Sequence, residues 1–224
     1  VLNTKDADGW EPKLVFVKKP LDSPALILYT SGSTGLPKGV VHSLRTLQTK
    51  WFVLRNHVPL DVCENTLCLL PTHFGHGLIC NALYPLVHGK HVVLLPKSDL
   101  KNLTNLSTII DQYEITFMSS VAATWRIVLR VCPPPKKKTL RQVHIGSAPL
   151  GADLWRAVQK WTNTLKVWNT YGITETGSWM AGPSINEDME PIDGLIGYGE
   201  CIFNYKTLPH MLSHGILLQI YGHA

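Results

Sequence analysis

The chain has 224 residues, of which 45% are hydrophobic and 17% are charged. This composition is sufficient for a substantial core and argues against disorder. The net charge of +5 comes without a basic stripe interleaved with aromatic residues, and no apolar run reaches the roughly 18 residues of a membrane span. Nucleic acid as a partner and a transmembrane anchor are therefore both disfavoured.

The predicted elements alternate between strands and helices. Residues 25–29 form an apolar run that predicts a buried strand, and apolar residues at helical spacing over 44–54 predict the first helix. Prolines followed by lysines over 133–138 predict a solvated loop. The remaining strands are predicted over 66–70, 91–95, 115–118, 141–145 and 165–168, and the remaining helices over 77–87, 102–113, 121–131 and 151–161. This alternation is typical of an α/β fold with a mostly parallel sheet.

Cysteine usage favours a reduced, cytoplasmic location over a disulfide scaffold. The chain has 5 cysteines, an odd number, and no C-x-x-C pair. Cys63, Cys68 and Cys80 lie near His73 and His76 in the sequence, but these spacings match no common zinc-binding pattern. We therefore expect inert, mostly buried thiols.

The glycine-rich loop over 30–39 carries the strongest functional signal. Its predicted position between a strand and a helix is one at which open α/β sheets bind ligands, and its glycines allow backbone N–H groups to surround an anion. Hydroxyl and ammonium groups add donors from Thr30, Ser31, Ser33, Thr34 and Lys38. The loop therefore suits a polyphosphate. It is not a Walker A motif, because Pro37 stands at the second glycine position and Gly39 follows Lys38.

The segment Tyr29–Val40 closely resembles the signature loop of the adenylate-forming superfamily, which includes acyl-CoA synthetases, nonribosomal peptide adenylation domains and beetle luciferases. Three further segments resemble family segments in the family's order. Leu70–Leu78 is similar to the gate beside the acyl pocket, Gly146–Leu150 to the segment along adenine, and Asn169–Gly177 to the Y-G-x-T-E segment. Pro37, Gly39 and the Thr174-Glu175 pair make a P-loop kinase or NTPase a weaker interpretation.

The resemblance covers residues 23–200, with 1–22 as a lead-in segment and 201–224 as an unmatched tail. It implies a truncated form of the family's large N-terminal domain, a layered α/β domain of mostly parallel sheets with helices on both faces. The family's small C-terminal domain is expected to be absent. Asp193 is the last aspartate and Lys206 the last lysine, so the resemblance leads us to expect that this chain lacks the family's ribose-binding aspartate and catalytic lysine. We therefore expect this chain to lack full activity, and a non-catalytic nucleotide-binding protein is the alternative.

The resemblance implies activation of a carboxylic acid, as a small-molecule substrate, by ATP and Mg²⁺, with release of pyrophosphate, and transfer of the acyl group to coenzyme A or a carrier-protein thiol. Lys38, Thr174 and Glu175 would be catalytic, with Glu175 as the Mg²⁺ ligand. The implied ATP site comprises Thr30, Ser31, Gly32, Ser33, Thr34, Gly35, Lys38, Ser147, Ala148, Pro149, Asn169, Tyr171, Gly172 and Thr174.

The resemblance also implies an acyl pocket, with Phe74 at the gate position. Gly75 stands where adenylation domains for α-amino acids carry an aspartate, so an unpaired substrate ammonium disfavours those acids. The absence of a Trp-Gln pair before Thr174 disfavours the acetyl-CoA synthetase branch and leaves a medium-chain, long-chain or aromatic acid. Trp179 and Met180 are both candidates for narrowing the pocket. The implied pocket residues are His73, Phe74, His76 and Gly146.

Overall fold

The computed structural model describes residues 19–30, 36–95, 98–182 and 191–193. The first two strands, β1 (Pro24–Thr30) and β2 (Lys38–Ser43), form an antiparallel hairpin. The prediction that the glycine-rich loop joins a strand to a helix is therefore wrong, because the chain returns as a second strand first. The two consecutive valines of β2 favour an extended backbone, and this signal was outweighed by the nearby helical pattern.

The strand predicted over 25–29 is confirmed, but its predicted burial is wrong. Leu28 is buried, whereas Ile27 is 50% and Tyr29 is 68% exposed. The hairpin is a two-stranded sheet with one face against the protein. Successive side chains point to opposite faces of a strand, so alternate apolar residues are left in solvent.

The main sheet has six strands: β3 (Asn65–Cys68), β4 (His91–Leu94), β5 (Phe117–Val121), β6 (Gln142–Gly146), β7 (Val167–Ile173) and β8 (Ser178–Ala181). Their order across the sheet is β4-β3-β5-β6-β7-β8. The pairs from β4 to β7 are parallel, and β8 pairs antiparallel with β7. The predicted α/β fold with a mostly parallel sheet is thus confirmed.

The helices are α1 (Leu44–Leu54), a π-helix (His76–Leu83), α2 (Tyr84–Val87), α3 (Leu100–Thr104), α4 (Leu106–Tyr113), α5 (Ala122–Val131), α6 (Ala152–Thr162) and a 3₁₀ turn (Thr174–Thr176). Two predicted helices are each divided in two. The helix predicted over 102–113 is interrupted at Asn105, between α3 and α4. The helix predicted over 77–87 consists of the π-helix followed by α2. Pro85 follows the π-helix and has no N–H to continue a helical ladder. None of the described helices combines the length and apolar content required to cross a membrane.

The sheet carries a hydrophobic core on each face. On β5, Met118 belongs to the core formed with α3, α4, α5 and α6, whereas its neighbour Phe117 belongs to the core formed with α1 and the π-helix. Alternation along a strand explains this division, since adjacent side chains point to opposite faces. In the first core, the rings of Trp125 and Trp161 pack edge to face with centroids 5.3 Å apart. Helices therefore cover both faces, as expected for this fold.

Candidate active site

An open cleft of about 130 Å³ lies where β6 and β7 end. Ser147 directly follows β6, and Thr174 directly follows β7. The carboxyl ends of parallel strands are the usual ligand-binding edge of such sheets. The described lining residues are Phe74, Gly75, His76, Ser147, Thr170, Gly172, Ile173, Thr174, Ser178 and Trp179. The fold thus brings three separately predicted segments to one cleft.

The glycine-rich loop is represented in the structure by its two ends. Thr30 and Lys38 are directly paired across the hairpin, and Thr30 Oγ1 lies 3.5 Å from Lys38 O. Neither residue lines the cleft. The predicted phosphate-binding residues that lie outside the described part of the chain are Ser31, Gly32, Ser33, Thr34 and Gly35.

His42 on β2 connects the hairpin to the Thr174 turn. Burial lowers the pKa of His42, and a hydrogen bond to the backbone of Thr174 opposes that shift. The charge on Glu175 is also close enough to affect the pKa of His42, in the upward direction. These interactions place β2, which begins at Lys38, beside the predicted metal-binding turn.

The Thr174–Thr176 turn presents the Thr174 hydroxyl and the Glu175 carboxylate, whereas the Thr176 hydroxyl donates to backbone carbonyls. Thr174 lines the cleft, whereas Glu175 is exposed and lies outside the lining. Gly177 ends the turn at φ 70°, and its N–H donates to Thr174 O at 3.0 Å. Within the described residues, no group of three or more His, Cys, Asp or Glu side chains forms a metal site. A single carboxylate fits Mg²⁺ shared with substrate phosphates, because this ion keeps several waters and needs few protein ligands.

Gly172 lies where β7 and β8 make their closest approach. A Cβ on Gly172 would clash with the carbonyl of Ser178 and would lie 2.7 Å from Trp179 N. The neighbouring strand therefore requires glycine here, independently of any ligand. Tyr171, predicted to stack on adenine, is 38% exposed and lies outside the described lining.

The other predicted adenine-site residues are divided between the cleft and its surroundings. Ser147 lines the cleft with φ 66°, a left-handed conformation that is strained for a residue with a side chain. Ala148 and Pro149 follow it on the exposed surface outside the lining. Asn169 is 3% exposed within β7, opposite Ile145, and is also outside the lining.

The predicted gate contributes two of its three ring side chains to the cleft. Phe74 lines the mouth and is 55% exposed. His73 is exposed outside the lining, with its ring centroid 4.2 Å from that of Phe74. His76 begins the π-helix and lines the cleft.

His76 forms the inner end of the cleft together with Ser119, on β5. His76 Nε2 lies 2.6 Å from Ser119 Oγ. Burial lowers the pKa of His76 to about 3, so the imidazole is neutral at pH 7. Gly146 packs against the same ring, since a Cβ there would lie 3.1 Å from His76 Cε1 and 2.8 Å from Thr170 Oγ1. The predicted pocket residue Gly146 thus acts by leaving space for His76.

A buried aromatic group supports this inner end and includes a residue that the sequence analysis missed. His144 on β6 has its ring centroid 4.5 Å from that of Trp179 and 5.4 Å from that of Trp168. Gln142 Nε2 lies 2.6 Å from His144 Nε2 and donates to His57 O at 2.8 Å. His144 occupies an ordinary strand position, so no local pattern distinguishes it from any other core residue.

Comparisons with known proteins agree with this geometry. The AMP-binding enzyme family model matches residues 2–204. The chain is 30% identical over 208 residues to a dimodular nonribosomal peptide synthase of Bacillus subtilis, covering 92% of this chain and 8% of that protein. It is 30% identical over 158 residues to the 4-coumarate–CoA ligase-like protein 4 of Oryza sativa subsp. japonica, covering 69% of this chain and 28% of that protein. The chain therefore spans less than a third of the length of either relative.

Solved structures show the same likeness. ATP-bound MatB from Rhodopseudomonas palustris aligns with a TM-score of 0.68 and 27% identity, covering 87% of this chain and 37% of that one. O-succinylbenzoate coenzyme A synthetase from Bacillus subtilis, in complex with AMP, aligns with a TM-score of 0.67 and 25% identity. The alignment covers 80% of this chain and 35% of that one. The family model, the relatives and the fold agree, and the chain belongs to the AMP-binding enzyme family of adenylate-forming proteins.

Proposed function

We propose that the protein containing this chain activates a carboxylic acid with ATP to form an acyl-adenylate and pyrophosphate, and then transfers the acyl group to a thiol of coenzyme A or a carrier protein. The observation that supports this most directly is the shared cleft. It joins Ser147 of the adenine segment, Thr174 of the Y-G-x-T-E segment and His76 of the gate segment. Those are the three groups that an acid and an adenylate need side by side.

The phosphates of ATP are assigned to the hairpin and the adjacent turn. Pyrophosphate gains negative charge as it leaves, and N–H donors together with the Lys38 ammonium stabilise that charge as it forms. Thr174 offers its hydroxyl to the α-phosphate from the cleft wall. Glu175 supplies the carboxylate for Mg²⁺, which when bound neutralises phosphate charge.

The acid is assigned to the gate side of the cleft. Phe74 shields the mouth and His76 closes the inner end, so the carboxylate would meet the α-phosphate between them. Excluding water at this point strengthens the electrostatic interactions with the phosphates and protects the mixed anhydride from hydrolysis.

The proposal is tested by ATP–pyrophosphate exchange, using the full-length protein and a panel of carboxylic acids. We expect exchange that depends on one class of acid, and much weaker exchange from this chain alone. Binding of Mg·ATP to this chain, measured by calorimetry, provides a separate readout. Mg·ATP binding without exchange by the full-length protein would contradict acid activation and favour a non-catalytic nucleotide-binding protein.

A further inference from the structure

The cleft is small, and this limits the acid that can enter. Its volume of about 130 Å³ is slightly below the roughly 150 Å³ of an apolar cavity that holds one benzene molecule. Part of the same space borders Ser147 and Thr174, where the adenylate phosphate is assigned. The remainder has room for only a short acyl chain.

Side chains and backbone close the route further inward. The 2.6 Å contact between His76 Nε2 and Ser119 Oγ joins the π-helix to β5 across the inner end. At Gly146, the end of β6 lies so close to His76 that an added Cβ would be 3.1 Å from the imidazole. A chain extending between these elements would have to separate them.

Trp179 closes the adjoining wall. It lines the cleft, is 3% exposed, and packs edge to face against His76 with centroids 5.2 Å apart. His144 and Phe117 lie behind it, with ring centroids 4.5 Å and 6.4 Å from that of Trp179. The wall is therefore backed by a buried aromatic layer, so a small rotation of Trp179 would not open a tunnel.

The described lining carries no charged side chain. The one titratable group there, His76, is neutral at pH 7 because burial lowers its pKa to about 3. The Lys50 ammonium approaches from behind, where it donates to Trp179 O, and is not among the lining residues. A second anionic group on the acid would lose its hydration without gaining a counter-charge.

We propose that the acid accepted here is smaller than an octanoyl or benzoyl group and carries no charge other than its carboxylate, with Trp179 as the residue that limits its length. This inference rests on the proposed function. It separates this chain from medium-chain, long-chain and aromatic acid ligases, which the sequence had left open. The neutral His76–Ser119 pair remains compatible with a short acid that carries a hydroxyl or keto group.

The length limit is tested with acyl-sulfamoyl adenosines, stable analogues in which a sulfamate replaces the acyl phosphate. Calorimetry on this chain would compare the acetyl, butanoyl, benzoyl and octanoyl analogues. We expect the octanoyl and benzoyl analogues to bind at least about tenfold more weakly than the butanoyl analogue. Equal or tighter binding of either one would overturn the length limit alone. Absence of binding by all analogues and by Mg·ATP would contradict the proposed function, and this inference with it.

Replacing Trp179 gives an independent check. In Trp179→Leu, the ratio of octanoyl to butanoyl affinity should rise at least about tenfold, because the inner wall opens. Trp168→Leu is the matched control, since Trp168 packs on His144 but does not line the cleft. Trp179 Nε1 is buried without a hydrogen-bond partner in the described part of the chain, so its removal leaves no acceptor unpaired. If Trp179→Leu does not fold, Trp179→Phe gives the same comparison, and an unchanged ratio in the folded variant would overturn the role of Trp179.

The charge limit is tested with the butanedioyl analogue, which differs from the butanoyl analogue by a terminal carboxylate. We expect at least about tenfold weaker binding, because the second carboxylate would be buried without a cation. Equal or tighter binding would overturn this part of the inference.

Discussion

Lys50 Nζ donates a hydrogen bond to the backbone carbonyl of Trp179 at 2.5 Å, joining α1 to β8 behind the cleft wall. Lys50 is only 7% exposed, and no ion pair in the described part of the chain includes it. Its stem also lies beside Gly177, at the end of the Thr174 turn, where an added Cβ would be 3.4 Å from Lys50 Cε. One buried ammonium thus holds the strand that carries Trp179 next to the turn assigned to the metal.

Replacing Lys50 should change how stability depends on pH. Burial lowers the pKa of Lys50, so between that value and the ordinary lysine pKa the unfolded chain binds more protons than the folded one. The folded protein therefore gains stability relative to Lys50→Met as the pH rises from 7 towards the ordinary lysine pKa. The measurement is urea unfolding of both proteins across this range. The exposed residue Lys160 supplies the control, Lys160→Met, and parallel curves for all three proteins would contradict the prediction.

Four histidines whose pKa is lowered by burial should make the protein sensitive to acid. Burial lowers the pKa of His57 to about 4, that of His76 to about 3, that of His144 well below its ordinary value, and that of His42 in the same direction. Their contribution to the free energy of unfolding is complete above the ordinary histidine pKa. It is lost as the pH falls towards the lower pKa values that these histidines have in the folded protein. Each histidine should contribute a slope of up to about 1.4 kcal/mol per pH unit below that point.

Chemical unfolding between pH 7.5 and 5 measures this slope. His144→Phe should reduce it by one histidine's share, because the replacement keeps a ring beside Trp179 and removes the proton-binding site. His144→Phe is compared with the unmodified protein under the same conditions, and an identical slope in the two would contradict a contribution from His144. A flat profile for the unmodified protein would contradict the buried, neutral state of these imidazoles.

Gly172→Ala should destabilise the edge of the sheet that carries the cleft. The new Cβ would clash with the Ser178 carbonyl and lie 2.7 Å from Trp179 N, and these are backbone atoms that cannot rotate away. We expect a loss of about 3 kcal/mol or more. Gly89→Ala is the comparison, since that site has no heavy atom within 4 Å but a φ of +69°, and should cost only about 1 kcal/mol. Equal losses in thermal or urea unfolding would show that contact with β8 is unimportant.

Lys38→Ala and Glu175→Gln should each weaken Mg·ATP binding to this chain. The first removes a cation from the proposed phosphate site, and the second removes the proposed Mg²⁺ carboxylate. A loss of about 10- to 100-fold in affinity is expected, the usual effect of deleting a charge-assisted interaction. Calorimetry with and without Mg²⁺ should show that Glu175→Gln acts only when the metal is present. Unchanged affinity in both variants, with Lys160→Ala as the exposed control, would overturn both roles.

Local sequence patterns predicted most elements but not the hairpin of β1 and β2. Alternation of strands with helices located the main sheet, because the apolar period is set by the geometry of each element. The hairpin was missed because β2 is short and lies directly before the helical pattern over 44–54. The break at Asn105 was also missed, because the helical spacing of apolar residues continues from α3 into α4.

The candidate site shows the same division. The sequence identified the segments that meet at the cleft, since Thr174 and Ser147 lie in contiguous motifs. It missed His144, and it did not reveal that the backbone of Ser178 and Trp179 requires glycine at position 172 independently of any ligand. These roles depend on residues from other strands, which no local pattern specifies.

By itself, the sequence determined the alternation of strands and helices, the family and the segments that supply the site. Only the tertiary structure decided the shape of the cleft. Its inner end is closed by His76 and Ser119, which are 43 positions apart, and its wall by Trp179, held by Lys50 from 129 positions away. Such contacts depend on how two cores pack against one sheet, whereas local motifs record only short-range periodicity and chemistry.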